Sequence, residues 1–101
     1  MTLQDIKKII SKMGLPNAYK EFEKMPKLPY ILFYYDDTDA EIADNEIYYE
    51  IDNYVIELYT KKKDITLEKK FEKIMRENKI IYHKSETFLK DEKIFIITYE
   101  I

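Results

Sequence analysis

Glu46–Glu77, EIYYEIDNYVIELYTKKKDITLEKKFEKIMRE, decides the fold. Its first half alternates. Ile47, Tyr49 and Ile51 stand against Tyr48, Glu50 and Asp52, and after Asn53 the apolar set moves to Tyr54, Ile56 and Leu58 against Val55, Glu57 and Tyr59. A one-residue change of phase predicts a β-bulge or a tight bend at Asp52–Asn53. One long bulged strand over 46–60 is the preferred reading, with two strands at a sharp bend as the other. Lys61, Lys62 and Lys63 make a basic turn, and Asp64 follows at the N-cap of a helix over Ile65–Asn78. Leu67, Phe71, Ile74 and Met75 share one face of that helix, while Lys69, Lys70, Lys73, Arg76 and Glu77 hold the other. Glu72 and Arg76, four apart, read as a small surface pair.

Upstream, Thr2–Met13 is predicted helical, with Leu3, Ile6, Ile9, Ile10 and Met13 at three- and four-residue steps. Thr2 and Asp5 have capping-box spacing. Gly14, the only glycine, sits where the chain must turn left-handed to leave the helix, and Pro16 prevents continuation. Asn17–Pro29 reads as a connector in which Ala18–Phe22 forms a short extended or edge piece. Tyr30–Tyr35, YILFYY, is a strand apolar on both faces, which implies burial on both sides or one face in an interface. Asp36–Asn45, DDTDAEIADN, reads as an acidic loop. Asp37, Asp39 and Glu41 alternate as in a calcium loop, but Ile42 stands where that loop needs glycine and Tyr48 where it needs a bidentate glutamate. A solvated loop is the reading adopted, with no metal site.

Downstream, Ile80–Leu89 and Lys93–Ile101 alternate and flank Lys90–Glu92, a polar hairpin loop. The order α-β-β-α-β-β over 1–101 predicts one α+β domain. Its sheet is antiparallel, mixed at most, of about four strands, with two helices packed on one face.

Composition sets the outer limits. The chain has 101 residues, 46% hydrophobic and 37% charged, which suits one packed core and not a disordered segment. No apolar run approaches the roughly 20 residues a membrane helix needs, and no secretory leader is recognised. Cysteine is absent, which removes disulfides and thiolate chemistry and fits a reducing cytoplasm. A net charge of −3 disfavours sequence-independent binding to nucleic acid, which needs a basic face. The 10 tyrosines read as strand propensity, with enrichment at an interface as the alternative.

Catalytic signals are sparse. His83 is the only histidine, placed on a strand, and would need a carboxylate partner to act. Ser11 and Ser85 lack the context of an activated nucleophile, and no phosphate-cradling glycine motif is present. The expectation is a non-enzymatic protein without cofactor.

IELYT at Ile56–Thr60, KKD at Lys62–Asp64, Leu67–Glu68, KSET at Lys84–Thr87 and the terminal EKIFIITYEI form one pattern. With the opening helix that ends in GLPNAY at Gly14–Tyr19 and then PYILFYY, it spans nearly the whole chain. This pattern resembles the small tail-completion proteins of long-tailed bacteriophages and prophages, related to tail-to-head joining and tail-terminator proteins. The resemblance implies a structural virion-assembly protein that forms a ring, commonly of six subunits. Its implied partners are other copies of itself, the tail tube and the head connector, with DNA only as passing cargo. The implied location is the virion, after assembly in the host cytoplasm. Asp36, Asp37, Asp39 and Glu41 would then face the ring lumen or a neighbouring subunit, and Lys61, Lys62 and Lys63 a partner. The alternative class is a small regulatory or inhibitory protein-binding module of a prophage.

Overall fold

The structure is a computed structural model that describes residues 1–43 and 46–101. Asp44 and Asn45 of the acidic-loop reading, and the side chains of Ile47 and Tyr48 that open the alternation, lie outside the described residues. The elements run α1 (Leu3–Ser11), β1 (Asn17–Tyr19), β2 (Tyr30–Ala43), β3 (Glu46–Thr60), α2 (Ile65–Glu77), β4 (His83–Leu89) and β5 (Ile94–Glu100). They form a mixed five-stranded sheet in the order β1-β2-β3-β5-β4. Only β1 is parallel to its neighbour; the other three pairings are antiparallel.

The α+β class and the two helices agree with the sequence reading, and the sheet is mixed where an antiparallel one, mixed at most, is expected. Two details do not. The connector after α1 contains a true edge strand, because Asn17–Tyr19 pairs with Ile31–Phe33. The order is therefore α-β-β-β-α-β-β, with five strands rather than four. The short edge piece read over 18–22 begins one residue earlier and ends at Tyr19, and its pairing with β2 makes it a strand. The second correction concerns the acidic stretch, which is not a loop. Residues 36–43 continue β2, whose backbone pairs with β3 as far as Ala43↔Glu46. Strand is favoured there by the ladder and not by burial, so no hydrophobic alternation announces it.

Both helices start as the residues dictate. Thr2 and Asp5 make the reciprocal capping box, and Asp64 accepts from the Leu67 amide. Gly14 has φ +71°, the left-handed turn out of α1. Ile6, Ile9 and Ile10 of α1, with Phe71 and Met75 of α2, close over Ile31, Phe33, Ile56, Leu58, Ile97 and Tyr99 on one face of the sheet. Each fully buried side chain of this size contributes about 1.5–3 kcal/mol relative to exposure.

The second apolar face of YILFYY is covered in part by the chain itself. Tyr30 and Leu32 point away from the helices and are buried. Phe22, on the segment before β2, sets its ring edge on Tyr30 at 5.2 Å, and Tyr30 stacks on Tyr59 at 4.8 Å. Lys20 Nζ lies 4.7 Å above the Tyr34 ring. The segment 20–29 thus packs against part of the helix-free face.

The phase change at Asn53 has a cause other than a bulge in β3. The extra residue is Asp36 on β2, since Tyr35 pairs with Tyr54 and Asp37 with Asn53. β3 keeps its alternation there, and its own irregularity lies nearer its start, opposite Glu41/Ile42. What changes at Asn53 is which face is apolar. Tyr54, Ile56 and Leu58 meet the helices, whereas Ile51 and Tyr49 lie on the opposite face of a part of the sheet that no helix covers.

Candidate functional site

β2 and β3 outrun the rest of the sheet. β1 pairs with β2 only as far as Phe33, and the chain after β5 bonds β3 no further than Tyr54, through Ile101. Beyond those points the two strands form a ribbon with both outer edges free of neighbouring strands among the described residues. Eight residues of strand extend about 26 Å at roughly 3.3 Å each, which accounts for a long axis of 51 Å against 29 and 24 Å. Isolated two-stranded ribbons are marginal in water, so this arm rests on its cross-strand contacts.

Those contacts order the acidic residues. Asp37↔Asn53, Asp39↔Ile51 and Glu41↔Tyr49 are successive same-face pairs. Asn53 Nδ2 donates to Asp37 Oδ1 and to Asp39 Oδ2, both at 2.8 Å. A hydrogen bond with Glu41 raises the Tyr49 hydroxyl above its ordinary pKa, with a smaller contribution from burial. On the opposite face of the ribbon the Thr38 hydroxyl donates to Asp52 Oδ1 at 2.8 Å and is bonded to the Tyr35 hydroxyl. Asp37, Asp39 and Glu41 are therefore brought together on one face with Tyr49 and Ile51, which are 52% and 50% exposed. Asp36, the bulged residue, has no partner on β3 and borders the same depression as Asp37.

The basic turn divides. Lys61 and Lys62 are exposed, with Leu28, Pro29 and Thr60 beside them. Lys63 instead turns back, its Nζ 2.7 Å from Glu68 Oε2 and 2.6 Å from Glu86 Oε1. The hydrogen bonds it donates to both carboxylates raise its pKa.

Lys63 belongs to an ion-pair cluster that sequence reading missed. Glu68 and Glu72, 2% and 6% exposed, face β4 and β5 from α2. Lys84 of β4 reaches Glu68 Oε1 at 2.9 Å and Glu72 Oε2 at 2.7 Å. The Tyr99 hydroxyl donates to Glu72 Oε2 at 2.8 Å. Burial pushes the Glu68 carboxyl up, but hydrogen bonds from Lys63 and Lys84 outweigh it and hold the group below its ordinary pKa. Tyr99 is driven far above the usual phenol value by burial first and its bond to Glu72 second. Glu72 is thus not half of a surface pair with Arg76. The signal was present: 68, 71, 72 and 75 follow i, i+3, i+4, i+7 and continue the apolar stripe. The cluster clamps α2 onto the edge strand β4.

His83 is exposed opposite Glu100 and borders a shallow depression of about 310 Å³ with Asp36 and Asp37. No hydrogen bond joins the imidazole to these carboxylates among the described residues. No group of three His, Asp or Glu side chains converges on a metal position among the described residues. No family model matches the chain, and no curated protein matches it. The site with the most distinctive geometry is therefore the acidic arm.

Proposed function

We propose that this chain is a non-enzymatic structural protein that completes the tail of a long-tailed phage and joins it to the head, assembling as a ring. The observation that carries the reading is the arm, a ribbon that leaves the packed body with acidic residues and exposed Tyr49 and Ile51 on one face. A single chain gains little by holding such a ribbon outside its core; an assembly gains a contact surface. The resemblance across the IELYTKKKD and EKIFIITYEI segments supplies the class. In a ring the arm lines the lumen, where negative charge lets DNA pass without adhering, or it reaches a neighbouring subunit. Tail-tube and head-connector proteins are the further partners, and the virion is the destination.

Electron microscopy of particles produced without this protein tests the reading. Unjoined or overlong tails are expected, and normally joined virions would overturn it. Removing the charge from Asp36, Asp37, Asp39 and Glu41 together is expected to lower infectivity. The same arm suits a second reading, a prophage inhibitor that places a negative ribbon on a basic host surface. Neighbouring genes separate the two: major tail and head-completion genes favour assembly, a repressor or toxin gene favours regulation.

A further inference from the structure

The charge of this protein is divided in space. The described arm residues 36–43 and 46–53 hold seven acids and no lysine or arginine, while residues 1–35 and 54–101 hold all 17 bases against 12 acids. The arm is strongly negative and the body positive. On the body, α1 and the short edge strand β1 leave a groove of about 560 Å³ between them. Leu3, Tyr19 and Phe33 give it apolar walls, with Leu3 and Tyr19 exposed, and Lys7 and Lys8 stand on its rim. Lys7 Nζ lies 5.7 Å from the centre of the Phe33 ring and donates to Asn17 Oδ1, which fixes the groove's shape.

We propose that the acidic face of the arm, Asp37, Asp39 and Glu41 with Tyr49 and Ile51, seats in the α1–β1 groove of a second copy of this chain. The two surfaces match in kind, each an apolar strip flanked by charge of one sign, negative on the arm and positive on the groove. One chain cannot satisfy both. Phe33 and the groove lie on the helix side of the sheet, whereas Asp37, Asp39 and Ile51 lie on the opposite face of the arm. The contact is therefore intermolecular and joins unlike patches, so it propagates into a ring or an open chain of subunits. A ribbon two strands wide covers less surface than a standard stable interface, so each contact is weak alone and sensitive to salt. This rests on the reading of the chain as self-assembling and names its interface.

The absence of cysteine permits a direct test. Ile51→Cys and Leu3→Cys chains, both changed at exposed positions, are mixed at low salt under mild oxidation. The crosslinked heterodimer is expected to exceed that from a control pair of Lys90→Cys with Leu3→Cys by about tenfold. Adding Lys8→Glu to the groove chain, or about 0.5 M salt, should cut the yield by about tenfold. Pairing the Lys8→Glu groove with an Asp39→Lys arm should restore it. A yield equal to the control pair, or one indifferent to Lys8→Glu, overturns the proposal and leaves the groove to a partner of other chemistry. Crosslinking with normal tails in the absence of the protein would keep this contact and sink the tail reading. Defective tails without crosslinking would do the reverse.

Discussion

Replacing Lys84 with methionine removes the cation that serves two buried carboxylates at once. In the native protein its ammonium lies 2.9 Å from Glu68 and 2.7 Å from Glu72. Glu68 keeps Lys63 at 2.7 Å, but Glu72 is left with the Tyr99 hydroxyl and with Lys69 at 3.8 Å. Stripping one partner from a buried ion pair costs about 3–5 kcal/mol. The Lys84 side chain is 34% exposed, so water replaces part of its effect, and about 2–3 kcal/mol is expected. That is a large share of the about 5–15 kcal/mol that holds a domain of this size together. Urea unfolding followed by circular dichroism should show a midpoint lower by about 2 M for a slope of roughly 1–1.5 kcal/mol per M.

The pH dependence separates a charge effect from lost packing. Glu68 has a depressed pKa in the folded protein, so its contribution is fully present above the unfolded carboxylate value of about 4.3. It is lost as pH falls through the lower folded value. Without Lys84, one of the two cations that lower the Glu68 pKa is gone. The difference between native protein and variant should hold from pH 7 to about 4.3 and shrink as pH falls further, through the depressed folded value. A difference that stays constant below about pH 4.3 would refute the electrostatic account, and an unchanged midpoint at pH 7 would refute the clamp itself.

Tyr99→Phe deletes the hydroxyl bonded to Glu72 inside the core and should cost about 1–2 kcal/mol by urea unfolding. In the native protein, spectrophotometric titration should find Tyr99 and Tyr59 ionising only when the chain unfolds, since burial and a nearby glutamate raise both far above an ordinary phenol. Gly14→Ala forces a side chain into a backbone at φ +71° with nothing within 4 Å of the added carbon; thermal unfolding should register a loss of about 1–2 kcal/mol from conformation alone. Joining Tyr35 to Tyr54, which pair directly across the ribbon, through an Asn-Gly turn removes the arm at a registered position. The truncated protein should stay cooperatively folded, with less strand signal, and lie within about 1 kcal/mol of the native stability, because the core closes on Tyr54, Ile56 and Leu58. It should also lose the intermolecular crosslink.

Some of the arm was legible in the residues and its shape was not. The acids Asp37, Asp39 and Glu41 read as a polar stretch because local pattern reports burial, and these three side chains are exposed. The phase change at Asn53 read as a bulge in β3, but β3 keeps its alternation there and its apolar residues change face, while the bulged residue, Asp36, belongs to β2. In the same way, Lys63 looked like one of three equivalent lysines until the fold brought Glu68 and Glu86 within reach.

By itself the sequence determined the helix starts at Thr2 and Asp64, the left-handed turn at Gly14, the strand cores at Tyr30–Tyr35 and Tyr54–Thr60 and the α+β class. Each follows from side chains acting on their own backbone or from a period of two or 3.6, which are local properties. Tertiary structure alone decided the parallel strand β1, the length of the arm, the burial of Glu68 and Glu72 beneath Lys84, and the opposed directions of acidic face and groove. Those depend on which distant segments pair, and pairing energy belongs to two strands together, so neither one announces it alone.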